Sequence, residues 1–356
     1  MTRMLTLGIE SSCDETACAV VEGERTVRSS VVASQHDLHA MFGGVVPEIA
    51  SRAHAERILP IVEQAMGEAG VRREDLSLIA VGHRPGLIGS LLIGLTAAKA
   101  LAWSWALPLV GVDHVHAHLH AADLGRDAPP EFPALGLVVS GGHTSIYRAA
   151  APGELARLGA TIDDAIGEAF DKAASILGLP QPGGPAIDAL SAEDGADDRA
   201  FDFPVSRLGK GSLDLSFSGL KTALLYEVRG RPQPRRVPGK PELRADAPPV
   251  LTAERRRDIA ASFQRAAVRA IIVKLGRALD ASSGVRTLIA GGGVCANTRL
   301  RRELESFASE RGLELRLPPM VYCVDNAAMI AGLGRALHER GERAGLDLRA
   351  VPTASA

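Results

Sequence analysis

Thr6-Leu-Gly-Ile9, Glu10-Ser-Ser-Cys-Asp-Glu-Thr16 and Ala17-Cys-Ala-Val-Val21 read as an apolar strand, a polar turn and a returning strand. The same grammar recurs in Leu135-Gly-Leu-Val-Val139, Ser140-Gly-Gly-His-Thr144 and Ser145-Ile-Tyr147. Two such hairpins, roughly 130 residues apart, predict a duplicated α/β unit whose polar turns face each other across a cleft. Between them, Val46–Ala69 has helical apolar spacing, Leu78–Val81 reads as a strand, Gly89–Trp105 as a buried helix and Leu109–Val112 as a strand. A helix is expected to begin at His114 and reach Asp123. Beyond the second hairpin, Asp163–Leu177, Ile187–Ser191 and Ile259–Leu279 are expected helices, and Thr287–Ala290 a strand entering a glycine turn. Arg229–Val250, rich in Pro and Arg and without period, reads as a mobile loop.

A chain of 356 residues and 37.3 kDa has room for two hydrophobic cores. With 46% apolar and 23% charged residues it is neither a disordered chain nor a fibre. Cys13, Cys18, Cys295 and Cys323 contain no C-x-x-C pair and are too sparse for a secreted disulfide framework, so free thiols in a reducing cytoplasm are expected. Met1–Gly8 runs into a strand with no signal-peptide pattern. The longest apolar runs, such as Leu101–Val112 with Pro108 and Gly111 inside it, fall short of the ~20 residues that cross a bilayer, so no membrane association is expected. Net charge is only −2, yet Val205–Arg277 holds 16 basic against 6 acidic residues. That asymmetry is either a phosphate-backbone footprint or a basic surface helix beside a basic loop.

Asp113-His-Val-His-Ala-His-Leu-His120 packs four imidazoles into seven residues. His114 and His118 lie one helical turn apart, the spacing by which two imidazoles share a metal ion, and they follow the carboxyl end of a strand, where α/β proteins gather ligands. His116 and His120 make a second pair, better read as a solvated face. A third metal ligand is needed. Asp325, after Pro318-Pro319 and before the small-residue helix Asn326–Leu337, is either that ligand or the helix cap. Two histidines and one carboxylate leave open positions, which suits catalysis. Val115 stands where a zinc peptidase needs its glutamate, so peptidase chemistry lacks a base.

Ser140-Gly-Gly-His-Thr144, Pro182-Gly-Gly-Pro185 and Gly291-Gly-Gly-Val-Cys-Ala-Asn297 are glycine turns able to offer backbone N–H groups to phosphate. Asp171 and Asp188 flank the middle turn and suit ribose hydroxyls, or are surface helix charges. Asn297 caps the helix from Thr298, faces a ligand, or does both.

These motifs resemble one family in order and spacing. Glu10–Thr16, Gly43-Gly-Val-Val-Pro-Glu48, Pro85-Gly-Leu87, His114-x-x-x-His118, Val139–Thr144, Phe170-Asp-Lys172, Pro182-Gly-Gly184, Ser216-Phe-Ser-Gly-Leu-Lys-Thr222, Gly292-Gly-Val294 and Asp325-Asn-Ala-Ala328 closely resemble the bacterial tRNA adenosine threonylcarbamoyltransferases, the TsaD family, across about Leu5–Arg340. The resemblance implies an actin-like, sugar-kinase-like and chaperone-like ATPase (ASKHA) fold of two duplicated RNase H-like lobes around a nucleotide cleft. It divides the chain into residues 1–131, completed by the C-terminal helix 326–345, residues 132–325 with the basic loop 229–250, and a disordered tail 346–356. It implies His114, His118 and Asp325 as ligands of one divalent metal, Fe2+ in preference to Zn2+. Val138, Val139, Ser140, Gly141, Gly142, Asp171, Gly184, Asp188 and Asn297 match substrate-binding positions, and Asp14 and Glu15 match an acidic pair near the reacting centre. The implied reaction moves threonylcarbamoyl from threonylcarbamoyl-AMP to the exocyclic amine of the adenosine just 3′ of the anticodon in tRNAs reading codons that begin with A. Helper proteins TsaB and TsaE are implied partners. Departures are His116 and Ala117 in place of the usual Glu and Gly, and Arg84 in place of a glycine before Pro85. A small-molecule phosphotransferase of the same fold is the alternative reading.

Overall fold

The computed structural model describes residues 4–40, 42, 44–206, 208–209, 211–230 and 250–352. In the first lobe, β1 (Leu5–Glu10), β2 (Glu15–Glu22) and β3 (Thr26–Ser34) form an antiparallel meander. A short helix α1 (His36–Ala40) and the long α2 (Pro47–Ala69) then lead to β4 (Leu76–Arg84), which lies parallel to β1. Helix α3 (Ile88–Trp105) crosses to β5 (Leu109–Asp113), parallel to β4, and the sheet order is β3-β2-β1-β4-β5. Helix α4 (His114–His120) follows directly.

The second lobe repeats this plan. β6 (Ala134–Val139), β7 (Thr144–Ala151) and β8 (Glu154–Ala160) form the meander. Helices α5 (Ile166–Leu177), α6 (Gly183–Ser191), α7 (Ser218–Arg229) and α8 (Ala253–Asp280) precede β9 (Thr287–Gly291). Helix α9 (Thr298–Arg311) leads to β10 (Glu314–Arg316), and α10 (Ala327–Glu339) comes last. Its order, β8-β7-β6-β9-β10, with β6/β9 and β9/β10 parallel, matches the first sheet strand for strand. The two hairpins open the two repeats, as their sequences predict; the outer strands β3 and β8, which no expectation covered, complete each meander.

Central strands bury both faces, which is why β1 reads as unbroken apolar sequence instead of alternating. One face of the first sheet packs on α2 and α3 through Leu7, Ile9, Ile58, Ile61 and Leu95. The other is covered by α10, whose Ala327, Ala328, Ala331 and Gly332 permit close backbone approach. A methyl group on Gly8 would meet the Ala327 carbonyl at 2.3 Å. The second lobe's core centres on Phe170, Phe203 and Phe263, with α5 and α8 against the sheet.

Three expectations change. Helix α3 is not buried throughout: Ser90, Leu91, Gly94, Leu95, Ala98 and Ala102 face inward, whereas Ile88 and Leu92 are half exposed and Trp103 is 75% exposed. It is long and apolar enough to cross a membrane by length and composition, although its inner stripe packs on the sheet. The C-terminal segment is not a loose tail over 346–352. Ala344 and Val351 amides donate to Leu109 and His83 carbonyls, and Lys99 Nζ donates to the Leu348 carbonyl. Residues 353–356 lie outside the described residues, as does 231–249 of the expected basic loop; residues 218–229 before it are helical. Helix α5 begins at Ile166, not Asp163, because Asp163 instead accepts hydrogen bonds from Ser216 Oγ and the Phe217 amide.

Candidate metal and transfer site

Parallel strands β4 and β5 end side by side, and the turn after β1 lies next to them, so three loops converge on one edge of the first sheet. The Ser12 carbonyl accepts from the Leu87 amide at 2.8 Å, tying the Glu10–Thr16 turn to Pro85-Gly86-Leu87. Asp113 caps α4, its Oδ1 accepting from the Val115 and His116 amides at 3.0 and 3.2 Å. This cap fixes the helix that carries His114 and His118 on one face. From the second repeat, Gly291 lets β9 approach α4: a Cβ there would meet the His118 carbonyl at 1.9 Å. Gly292 continues the turn at φ 102°, a left-handed conformation that favours glycine.

Asp325 closes the set. It does not cap α10; Asn326 does, accepting from the Met329 amide at 3.0 Å. The Asp325 carboxylate therefore points to the histidines, Oδ1 lying 3.7 Å from His114 Nε2 and 3.3 Å from His118 Nε2. One ligand atom from each of the three side chains falls within 4.8 Å of the others. His118 is fully buried, and neither ring nitrogen has a hydrogen-bond partner among the described residues. An orphaned buried imidazole is costly, and a cation held with His114 and Asp325 satisfies it. Two imidazoles and a carboxylate with open positions thus fit a divalent metal. Behind the set, His114 Nδ1 lies 3.3 Å from Glu10 Oε2 and 3.2 Å from Ser12 Oγ. This is the carboxylate–histidine arrangement that turns the other ring nitrogen toward a metal. Glu10 is buried at the end of an apolar strand and was not singled out from sequence; its signal was a carboxylate where burial demands a partner.

The cleft above is a cavity of about 410 Å³ lined by residues 12–15, Pro85-Gly86-Leu87, His114, residues 140–143, Pro182, Gly293, Val324 and Asp325. Asp14 and Glu15 thus share one cavity with Ser140, Gly141 and Gly142, and His114 and Asp325 also line it. The Ser140 turn is held by its amide on the His143 carbonyl and by Ser140 Oγ accepting from the His143 amide. Val138 and Val139 lead into it as buried strand residues. His143, another omission from the expected site, is pushed down to about 4 by burial and by the facing charges of His114 and His118. Burial, aided by the Asp325 and Asp14 carboxylates, pushes Glu15 up to about 9. Burial also opposes ionisation of Asp325, but His114 and then His118 hold its carboxyl well below the usual range.

Asp171, Gly184, Asp188 and Asn297 do not line this cavity; they sit alongside it in the second lobe. Asp171 Oδ1 accepts from the Gly183 amide at 2.7 Å, holding the middle glycine turn. Asp188 accepts from the Thr298 amide and hydroxyl, tying α6 to α9. Asn297 caps α9 through Oδ1 and donates to Gln264. His116 and His120 are not a solvated pair. His116 packs edge-on to Tyr147, and buried His120 bonds the Glu24 carbonyl at 2.9 Å, because α4 is wedged between the lobes. The basic span is likewise less free than its charge suggests. Arg255 pairs with Glu227 and stacks on Phe201, Arg257 and Arg265 donate to the carbonyls of Asp194 and Asp198, and Lys221 pairs with Asp164.

Two α/β lobes with identical strand order around a cleft define the fold of the actin-like, sugar-kinase and chaperone ATPases. Full-length HypF in its phosphate- and nucleotide-bound form shares it at a TM-score of 0.57 and 14% identity, covering 95% of this chain and 47% of that one. The activator of the 2-hydroxyisocaproyl-CoA dehydratase from Clostridium difficile does so at 0.50 and 13%, covering 95% and 96%. Within that class, the family model of TsaD, tRNA N6-adenosine threonylcarbamoyltransferase, matches residues 26–332. Proteins of that name from Anaeromyxobacter dehalogenans and Symbiobacterium thermophilum are 50% and 49% identical, over 99% and 98% of this chain and 99% and 96% of theirs. The chain belongs to the TsaD family of tRNA-modifying transferases.

Proposed function

We propose that this transferase moves the threonylcarbamoyl group from L-threonylcarbamoyl-AMP to N6 of the adenosine just 3′ of the anticodon (position 37) in tRNAs reading codons that begin with A, releasing AMP. The observation that carries the reading is the cavity in which His114 and Asp325, backed by the buried His118, meet the Asp14–Glu15 turn and the Ser140 glycine turn. The adenine amine is a weak nucleophile, so the site must activate the acyl group. His114, His118 and Asp325 hold a divalent ion, Fe2+ in this reading with Zn2+ also compatible, which when bound supplies Lewis-acid stabilisation of developing negative charge. Ser140, Gly141 and Gly142 offer backbone N–H groups to the phosphate or the developing oxyanion. Val138 and Val139 set that turn, and Asp171, Gly184, Asp188 and Asn297 shape the nucleotide side of the cleft. N6 attacks the carbamoyl carbon, the bond from that carbon to the phosphate oxygen breaks, and AMP leaves with the electron pair. Asp14 or Glu15, both lining the cavity, takes the proton from N6 as the amine adds.

The protein works in the cytoplasm with TsaB and TsaE in this reading. The half-exposed apolar face of α2 and α3, with Leu59, Ile88, Leu92 and Trp103, is the surface assigned to TsaB. The test is transfer of labelled threonylcarbamoyl from threonylcarbamoyl-AMP to unmodified tRNA with purified helpers, comparing wild type with His114→Ala. Transfer by wild type and its loss in a folded variant with no bound metal is expected. A wild type inactive with every metal and helper combination would return the phosphotransferase reading.

A further inference from the structure

The carboxylates of the cleft, Asp14 and Glu15, sit on a turn that buried side chains behind it hold. His54 lies in the middle of α2, fully buried, on the face turned to β2. Its Nε2 is 2.9 Å from the Cys13 carbonyl and its Nδ1 is 2.7 Å from Thr16 Oγ1. A carbonyl only accepts, so Nε2 carries the proton, and Nδ1 accepts from the Thr16 hydroxyl. Burial holds the ring below the usual imidazole range, which keeps it neutral and suits one donor and one acceptor. The two bonds bracket Asp14 and Glu15 on either side. Gln35 adds a third hold: its amide donates to the Asp14 carbonyl at 3.1 Å, and its side chain lies between the Ala50 carbonyl and His54. Thr16 and Gln35 are as buried as His54, so water does not offer alternative partners.

We propose that His54 is a positioning residue for the transfer reaction: through Cys13 and Thr16 it fixes the turn that presents Asp14 and Glu15 to the acyl group. It does not line the cavity, and its hydrogen bonds run to Cys13, Thr16 and Gln35. Because it lies on α2, it also links the helix exposed on the outside of the first lobe to the turn inside the cleft. The proposal rests on the transferase reading for its catalytic consequence and on geometry alone for the hold itself.

Two readouts separate these. In hydrogen exchange of the full chain, His54→Ala and the milder, nearly isosteric Thr16→Val lose protection in the peptide covering residues 11–18, while α3 and α10 keep theirs. In the transfer assay, kcat falls about 10- to 100-fold for displacement of the carboxylates, with KM for tRNA unchanged. Added imidazole restores part of the rate in His54→Ala, which a generally weakened fold would not show. Unchanged exchange over residues 11–18 in both variants would overturn the hold, whatever the activity. Loosened exchange with wild-type kcat in both would overturn the positioning role. A wild type without transfer activity would count against the transferase reading and leave the exchange result standing on its own.

Discussion

In the metal-free protein the fold raises the Glu15 carboxyl far above its ordinary range. Its ordinary value is 4.5, and burial with the neighbouring Asp325 and Asp14 charges lifts it to about 9. Between those limits the folded protein binds a proton that the unfolded chain has released, so metal-free stability contributed by this group falls as pH rises. Glu15→Gln is expected to flatten that decline in urea unfolding of chelated protein across the window; an unaltered slope would mean the carboxyl is already ionised in the folded state. The sequence marked Glu15 by motif but carried no sign of its charge state, which depends on a residue more than 300 positions away. A shorter but still long separation hid Glu10: it reads as the polar end of a strand until β5 and α4 place His114 against it. His114 and His118 were legible because helical spacing alone puts them on one face.

Among the elements, β10 is held to the crossing segment between lobes by Arg316. Its guanidinium pairs with Asp123 at 2.6 Å, both side chains buried, and also donates to the carbonyls of Ala128 and Pro129. Removing one partner strands a buried charge, so Arg316→Ala should lower unfolding stability by about 3–5 kcal/mol. A loss below about 1 kcal/mol, the range of exposed pairs, would refute the buried-strut reading. Helix α3 is the element whose sequence misled. Its apolar composition is uniform enough to read as fully buried, yet burial depends on what covers each face, and only the inner stripe meets the sheet. Helix α8 gives the converse case: Arg255, Arg257 and Arg265, which look like part of a polyanion surface, bond Glu227 and the Asp194 and Asp198 carbonyls within the lobe. Asp325, readable from the sequence as metal ligand or helix cap, turns to the histidines because the cap falls one residue later, on Asn326.

At the level of the molecule, two repeats of one sheet order face each other, and α10 returns from the end of the second to cover the first. That return delivers Asp325 to the cleft. Trp103 and other apolar side chains of α2 and α3 stay exposed; if this face docks TsaB as proposed, Trp103→Glu should abolish its capture without altering the thermal midpoint by more than a few degrees, and retained capture would move the docking surface elsewhere. The duplication, the histidine pair and the glycine turns were determined by the sequence itself, because strand alternation, helical spacing and turn chemistry are written in neighbouring residues. Whether Asp325 serves as ligand or helix cap, what supports His114, what holds the Asp14 turn and where the basic side chains go were decided only by tertiary structure. Those contacts join positions tens to hundreds of residues apart, and no local pattern encodes which distant partner burial will force upon a polar group.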